Sequence, residues 1–281
     1  MRSRIHRRNL VTFFNNATRH SRASAYSLTL SHTCSSTPKP SRHYQVGLVG
    51  LFVLLHLGAL LVIFFPFSVR WLLLAGVSYT IRMFAVTAGY HRYFSHRSYK
   101  LSRAAQFAMA FLAQTSAQKG VLWWAAHHRL HHRESDRDRD VHSPARRGFW
   151  WAHVGWVLSN DFDEYDPRAV GEFSRFPEIR WLDRHHWVPT TVFGVAIALL
   201  GGWPAFLWGY VVSTVALYHG TFAINSLAHL WGTRRFDTPD ESRNNFWLAL
   251  VTFGEGWHNN HHHSPGSCRQ GNAGGSWTSL T

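Results

Sequence analysis

Residues 187–233 run for 47 positions without an Asp, Glu, Lys or Arg. A helix needs roughly 20 apolar residues to cross a hydrocarbon layer, so this run has room for two crossings. Gly201-Gly202-Trp203-Pro204 supplies the turn between them. Residues 44–66 add 23 uncharged positions, and residues 69–90 form another candidate, with Arg70 at its edge and Arg82 the one charge in its interior. The stretch 104–126 is apolar as well, but Gln106, Gln114, Gln118 and Lys119 interrupt it. A crossing there would put the histidine clusters that flank it on opposite membrane faces, so it reads as interfacial or re-entrant. The expected fold is all-α: a four-span transmembrane helical protein whose polar helix ends form a cap on one side. The chain's 281 residues would also allow one large soluble domain, but 14 tryptophans favour the membrane reading.

The histidines fall in three clusters beside the apolar runs: His91 with His96, His128 with His131 and His132, and His258 with His261 and His262. Neutral imidazole is the commonest side-chain metal ligand, and packing alone does not explain eight of them so grouped. In H-x-x-H-H the residues at i, i+3 and i+4 share one side of a helix, so each such motif can aim three nitrogens at one place. H-x-x-x-x-H suits a helix end, where the second residue leaves the helical face. Imidazole serves iron, zinc and copper alike, so ligand type does not choose the metal.

The formal net charge is +14, and every Asp and Glu lies at or after Glu134. Arg92, Arg97, Lys100, Arg103, Arg129, Arg133, Arg146 and Arg147 flank the clusters, whereas the opposite hairpins offer little beyond Arg70. This balance fits attraction to an anionic membrane surface and a cytoplasmic cap rather than nucleic acid. The membrane would be the bacterial inner membrane, or the endoplasmic reticulum or plastid of a eukaryote. Cys34 and Cys268 imply no disulfide framework. Residues 1–43, rich in Ser and Arg and free of acids, read as a basic arm: a disordered tail, a transit peptide or a start assigned too early.

From residue 44 to 271 the chain resembles the membrane fatty-acid desaturases of the acyl-CoA delta-9 type. The resemblance is carried by Thr87-Ala-Gly-Tyr-His91-Arg-Tyr-Phe-Ser-His96, His142-Ser-Pro-Ala-Arg-Arg-Gly-Phe, His153-Val-Gly-Trp156, Asn225-Ser-Leu-Ala-His229 and Gly254-Glu-Gly-Trp-His258-Asn-Asn-His261-His262. It implies a di-iron centre of two iron ions held by His91, His96, His128, His131, His132, His229, His258, His261 and His262. Asn225 would reach a metal through water. Dioxygen as oxidant would take hydrogen from two neighbouring methylenes, leaving a cis double bond and water; zinc lacks the redox chemistry for this. Electrons would come from a separate carrier, cytochrome b5 or ferredoxin with its reductase. A lipid hydroxylase on the same scaffold is the nearest alternative. A histidine-rich metal transporter or sensor is the alternative of another class, and it would place ionisable residues along the spans.

Other residues carry plainer expectations. His56 and His219 read as packing residues, His127 and His263 as neighbours of ligands, and Trp71, Trp187, Trp203 and Trp208 as belt or span-packing residues. Trp123, Trp124, Trp150 and Trp151 are candidates for an acyl tunnel or for surface packing. His142 and His153, then Asp136, Asp140, Asp163 and Glu255, are candidates to hold the outer nitrogens of the ligands. Arg146 and Arg147 are candidates for an anionic head group. His127 stands where animal acyl-CoA enzymes commonly carry Asp, so acyl-CoA leads while chains on lipids or carrier protein stay open. After Gly271 the family's aromatic segment is replaced by Asn272-Ala-Gly-Gly-Ser-Trp-Thr-Ser-Leu-Thr281. One DNA stretch can encode both strings in two frames, so a frameshift near codon 272 is the expected origin of this tail, and resequencing tests it.

Overall fold

The computed structural model describes residues 43–65 and 67–271; most of the basic arm and all of the tail 272–281 lie outside them. Secondary structure is helical apart from isolated bridges such as Tyr44 with Ser159. Helix α1 (Val46–Leu60) continues as a tighter turn to Phe64, and α2 (Val69–Ala85) continues as a wide π-helix over Val86–Ser95. Both are long and apolar enough to cross a membrane, as is the segment Trp187–His229.

That 43-residue segment is not one rod. Gly202 stands at φ 69° and ψ −164° inside it, a backbone region that side chains disfavour. The Thr190 hydroxyl lies 2.8 Å from the Tyr210 hydroxyl, and Gly194 faces the Tyr210 ring. Twenty residues of straight helix would separate such a pair by about 30 Å, so the chain folds back at Gly201-Gly202, as the sequence led us to expect. Two limbs result, α6 (Trp187–Ala205) and, beyond a π-turn at Phe206–Val212, α7 (Ser213–Ser226). Arg82 is buried in α2 and donates to the hydroxyls of Thr214 and Ser213 and to the Ser78 carbonyl.

The stretch 104–126 is two short helices, α3 (Arg103–Gln114) and α4 (Val121–Glu134). At about 1.5 Å per residue, the 12 residues of α3 rise roughly 18 Å, short of a 30 Å hydrocarbon core. Its interrupting glutamines are structural: Gln114 accepts from the Val121 N–H and donates to the Leu182 carbonyl, and Gln106 accepts from Tyr93. The Asp183 carboxylate, at the end of α5 (Pro177–Arg184), accepts the N–H groups of Leu122 and Trp123. These are free donors at the start of α4, so α5 fixes where α4 begins. The N–H groups of Arg129 reach the carbonyls of Phe94, Ser95 and Ala169, tying α4 to the end of the π-helix. Arg129 and the buried Arg92, which faces Glu255, are therefore internal ties and not part of a membrane-facing positive surface. Two short helices, α8 (Phe246–Val251) and α9 (His258–His263), complete the cap.

Candidate metal centre

The first histidine pair owes its geometry to the π-helix. In an α-helix five residues turn through about 500°, so His91 and His96 would point some 140° apart. In the wider helix the His96 N–H bonds to the His91 carbonyl at 3.2 Å, which is the π-type repeat, and both rings turn to one place. His96 is the residue that caps this helix, so the pair does sit at a helix end as the spacing suggested, and the wide last turn brings the second ring round to the first.

All nine expected ligands converge, but in two groups. His91, His96, His128, His132 and His261 offer nitrogens within 4.8 Å of one another, and so do His131, His229, His258 and His262. This corrects the expectation that each H-x-x-H-H motif serves one point. His128 and His132 join the first group while His131 joins the second; His258 and His262 join the second while His261 joins the first. His229, a lone histidine at a helix end, is brought in by a tight turn over Leu227–His229.

Inside the first group the Nε2 atoms form a chain: His91 to His261 at 2.9 Å, His261 to His132 at 2.9 Å, His132 to His128 at 3.0 Å and His128 to His96 at 2.8 Å. A ring nitrogen either donates or accepts, so protons could join this chain only through bifurcated contacts at the three inner members. A single cation facing five lone pairs accounts for all of them. Two nitrogens at right angles around an ion, with bonds of about 2.1 Å, stand roughly 3.0 Å apart. In the second group His229 and His258 meet at 3.1 Å, and the buried Nε2 atoms of His131 and His262 have no hydrogen-bond partner. The residues fit two metal ions.

Carboxylates hold the outer nitrogens of four of these histidines. His131 Nδ1 lies 2.9 Å from Asp140, His229 Nδ1 2.9 Å from Asp136, His262 Nδ1 2.6 Å from Asp240 and His91 Nδ1 2.5 Å from Glu255. Such a partner takes the proton on Nδ1 and leaves the Nε2 lone pair for metal. Burial alone would raise the Asp136 pKa, but hydrogen bonds from His229, Ser143 and the Glu241 N–H bring it down to about 2. Asp140 and Asp240 are held low against burial in the same way, chiefly by His131 and by His262 respectively. Burial, reinforced by neighbouring imidazoles, pushes His96, His128, His132, His258 and His261 well below the ordinary histidine value, so they present lone pairs rather than protons. His131 goes the other way: burial would lower it, but Asp140 outweighs that.

Asp136, Asp140 and Glu255 take the expected outer role, but Asp163 does not, pairing instead with Lys119 at 3.0 Å. His153 is not an outer partner either. Its ring contacts Ser226 and His219, and His219 in turn contacts His56, all near 3.0 Å. His142 stacks on the His131 ring with centroids 4.1 Å apart. His127 bonds to its own helix at the Trp123 carbonyl, and His263 stacks on Phe236. The sequence does not signal Asp240, since it stands 22 positions before His262 with helix α8 and the start of α9 between them. Nor does it signal Asn259 and Asn260: Asn259 accepts the N–H groups of Arg235 and Phe236, and Asn260 exchanges bonds with Asn244, so the residues between the ligands anchor the six-residue helix α9.

An apolar cavity bounded by Leu48, Leu51 and Phe52 of α1 and by Trp156 and Phe222 runs to Trp124, His128 and Asn225. A smaller one shares those last three residues and reaches His91, His131 and His258. Gln118 donates to the Thr221 hydroxyl at 3.0 Å, and both line the larger cavity. Trp123 and Trp124 line it too, whereas Trp150 is exposed and Trp151 bonds to the Val141 carbonyl. Arg146 and Arg147 are not on the wall of either cavity. Arg146 donates to the Asp136 carbonyl at 2.8 Å, and Arg147 packs over Trp151 and Phe162.

Residues 68–269 match the family model for fatty acid desaturases. The chain is 33% identical over 246 residues to the sn-1 stearoyl-lipid 9-desaturase of Anabaena variabilis, covering 85% of this chain and 88% of that protein. It is 38% identical over 191 residues to the sn-2 palmitoyl-lipid 9-desaturase of Nostoc sp. (strain 36), covering 66% and 67%. Similarity to the icosanoyl-CoA 5-desaturase of Limnanthes douglasii is 34% over 227 residues, covering 79% and 64%. The chain belongs to the fatty acid desaturase family.

Proposed function

We propose that this desaturase places a cis double bond at the ninth carbon of a saturated acyl chain, using two irons held by the five-histidine and four-histidine groups. The observation that carries the reading is a pair of cavities sharing Trp124, His128 and Asn225, one walled by α1 and the other by histidines of both groups. Relatives named for lipid substrates favour a chain esterified to a glycerolipid over the acyl-CoA suggested by the sequence. The thioester is the second reading, supported by the relative named for icosanoyl-CoA. In either case Arg146, which keeps an outward face beside Asp138, and Arg147 are the proposed head-group contacts.

Bound iron would supply the redox chemistry that activates dioxygen. The substrate loses two hydrogens, and dioxygen is reduced to two waters with two electrons and two protons from outside. The protein's own residues hold and position. Trp124, stacked between Tyr90 and His128, and the Gln118–Thr221 hydrogen bond confine a chain that has no polar handle of its own. The apolar wall keeps bulk water from the reacting carbons. Asn225, which lines both cavities, would hold a water toward the group that has four histidines instead of five. In this reading the chain crosses four times with its cap on the cytoplasmic side, which the fold-back at Gly202 and the remaining positive flanks support, and the cap receives electrons from cytochrome b5 or ferredoxin. Expression in a desaturase-deficient host, followed by fatty-acid profiling, should yield a new cis-monounsaturated acid. A hydroxy acid as the main product would overturn the assignment.

A further inference from the structure

Among the described residues, Lys119 is the one Lys, Arg, Asp or Glu on the wall of the larger cavity. It is 9% exposed. Its Nζ lies 3.0 Å from an Asp163 carboxylate oxygen and 4.7 Å from the centre of the Trp123 ring. The Asp163 side chain is 61% exposed, so the pair marks where the cavity wall meets the outside. An ammonium has three N–H donors. Asp163 is the acceptor the structure gives it, and a cation kept this deep in an apolar wall is costly unless further acceptors reach it.

The backbone presents this side chain at some expense. Lys119 has φ 64° and Ala117 φ 59°, the left-handed region that non-glycine residues seldom occupy. The conformation is clamped: the Tyr90 hydroxyl donates to the Lys119 carbonyl at 2.7 Å and the Tyr218 hydroxyl to the Ala117 carbonyl at 2.9 Å. Strain held this firmly beside a cavity points to a positional task.

The distances fit that task. Lys119 precedes α4, and from Gly120 to the ligand His128 the helix rises about 12 Å. In an extended acyl chain each carbon advances about 1.25 Å, the projection of a bond of roughly 1.5 Å, so the ninth carbon lies about 10 Å from the carbonyl. We propose that Lys119, steadied by Asp163, donates a hydrogen bond to the acyl carbonyl oxygen, ester or thioester, and so fixes which methylene pair reaches the metals. This rests on the desaturase reading above and gives it a ruler.

The test uses the full chain in a desaturase-deficient host, with double-bond positions located by mass spectrometry of derivatised fatty acids. Iron content and melting temperature are measured on the purified proteins. With Lys119→Met the preference for a single position should fall by about 10-fold, the weight of one hydrogen bond to a charged group, while iron content holds. Lys119→Arg should restore most of the preference. Following the double bond into glycerolipids or the thioester pool separates the two carbonyl sources. Lys119→Met protein that keeps the wild-type position and yield overturns the proposal. If that variant fails to fold, Asp163→Asn decides, since loss of the steadying carboxylate should broaden the positions in the same sense and an unchanged pattern refutes the ruler. A wild-type chain that makes no monoene points instead to failure of the desaturase reading.

Discussion

Replacing Asp240 by Asn should empty one metal group and spare the other. Asp240 is buried, with one carboxylate oxygen 2.6 Å from His262 Nδ1. Its other oxygen accepts from the Thr238 hydroxyl, the Ser242 N–H and the Ser242 hydroxyl. Those three donors fix the rotamer, so an asparagine would keep its oxygen toward them and turn its NH₂ toward His262. Two N–H groups would then face each other. His262 escapes by moving its proton to Nε2, which occupies the lone pair the metal requires. Loss of an outer partner typically lowers metal affinity about 10- to 100-fold, equivalent to about 1.4–2.7 kcal/mol. Iron per chain, measured by mass spectrometry across a series of chelator concentrations, should fall from two to one in Asp240→Asn before the wild type loses any. Glu255→Gln, which disturbs His91, should destabilise the five-histidine group instead. If Asp240→Asn keeps two irons at every chelator concentration, or releases both in one step, the division of ligands between two ions is wrong.

His131→Ala and His261→Ala each remove an inner nitrogen, one from each group. Desaturation should drop by more than the roughly 100-fold expected for an outer partner, and full turnover in both would refute the ligand assignment. Gly120→Ala would set a Cβ 2.1 Å from the Asp183 carboxylate, displacing the group that caps α4. The expected cost is about 1–3 kcal/mol of overpacking plus about 1 kcal/mol of cap, seen as a lower melting temperature with loss of iron; unchanged melting would discount the Asp183 contact. Iron-free protein should lose stability as pH falls below about 6.5, because unfolded histidines then take up protons that the buried ones, held well below that value, refuse. Chemical denaturation at several pH values checks this, and a flat profile would contradict the stated burial.

The apolar runs and the break at Gly201-Gly202 were legible because each is a local property of composition or backbone. The histidines that converge were legible from local clusters, with His229 added by resemblance. What was not legible depends on contacts distant in sequence. Asp240 meets His262 only after the loop 232–245 closes, and Asp163 goes to Lys119 because the loop before α4 takes two left-handed residues that no glycine announces. Arg92 and Arg129 resembled surface charge because the carbonyls and carboxylate that hold them come from other segments.

The division of ligands between two centres was present in the motif all the same. Successive residues of an α-helix diverge by about 100°, so His131 and His132 cannot both lie along the direction of His128. His132, at i+4, returns to within about 40° of His128, while His131 stands about 60° to the other side. The paired histidines that end H-x-x-H-H therefore straddle two points: His128 with His132 faces one group and His131 the other. The same repeat on α9 puts His258 with His262 on one side and His261 on the other. Each helix thus gives two nitrogens to one centre and one to its neighbour, in opposite senses. The π-helix pair His91 and His96 then brings the first centre to five and His229 brings the second to four. A mononuclear site built on these helices would leave His131 and His261 each facing away from the rest of its own motif, which is why the adjacent pair, more than the number of histidines, argues for two ions.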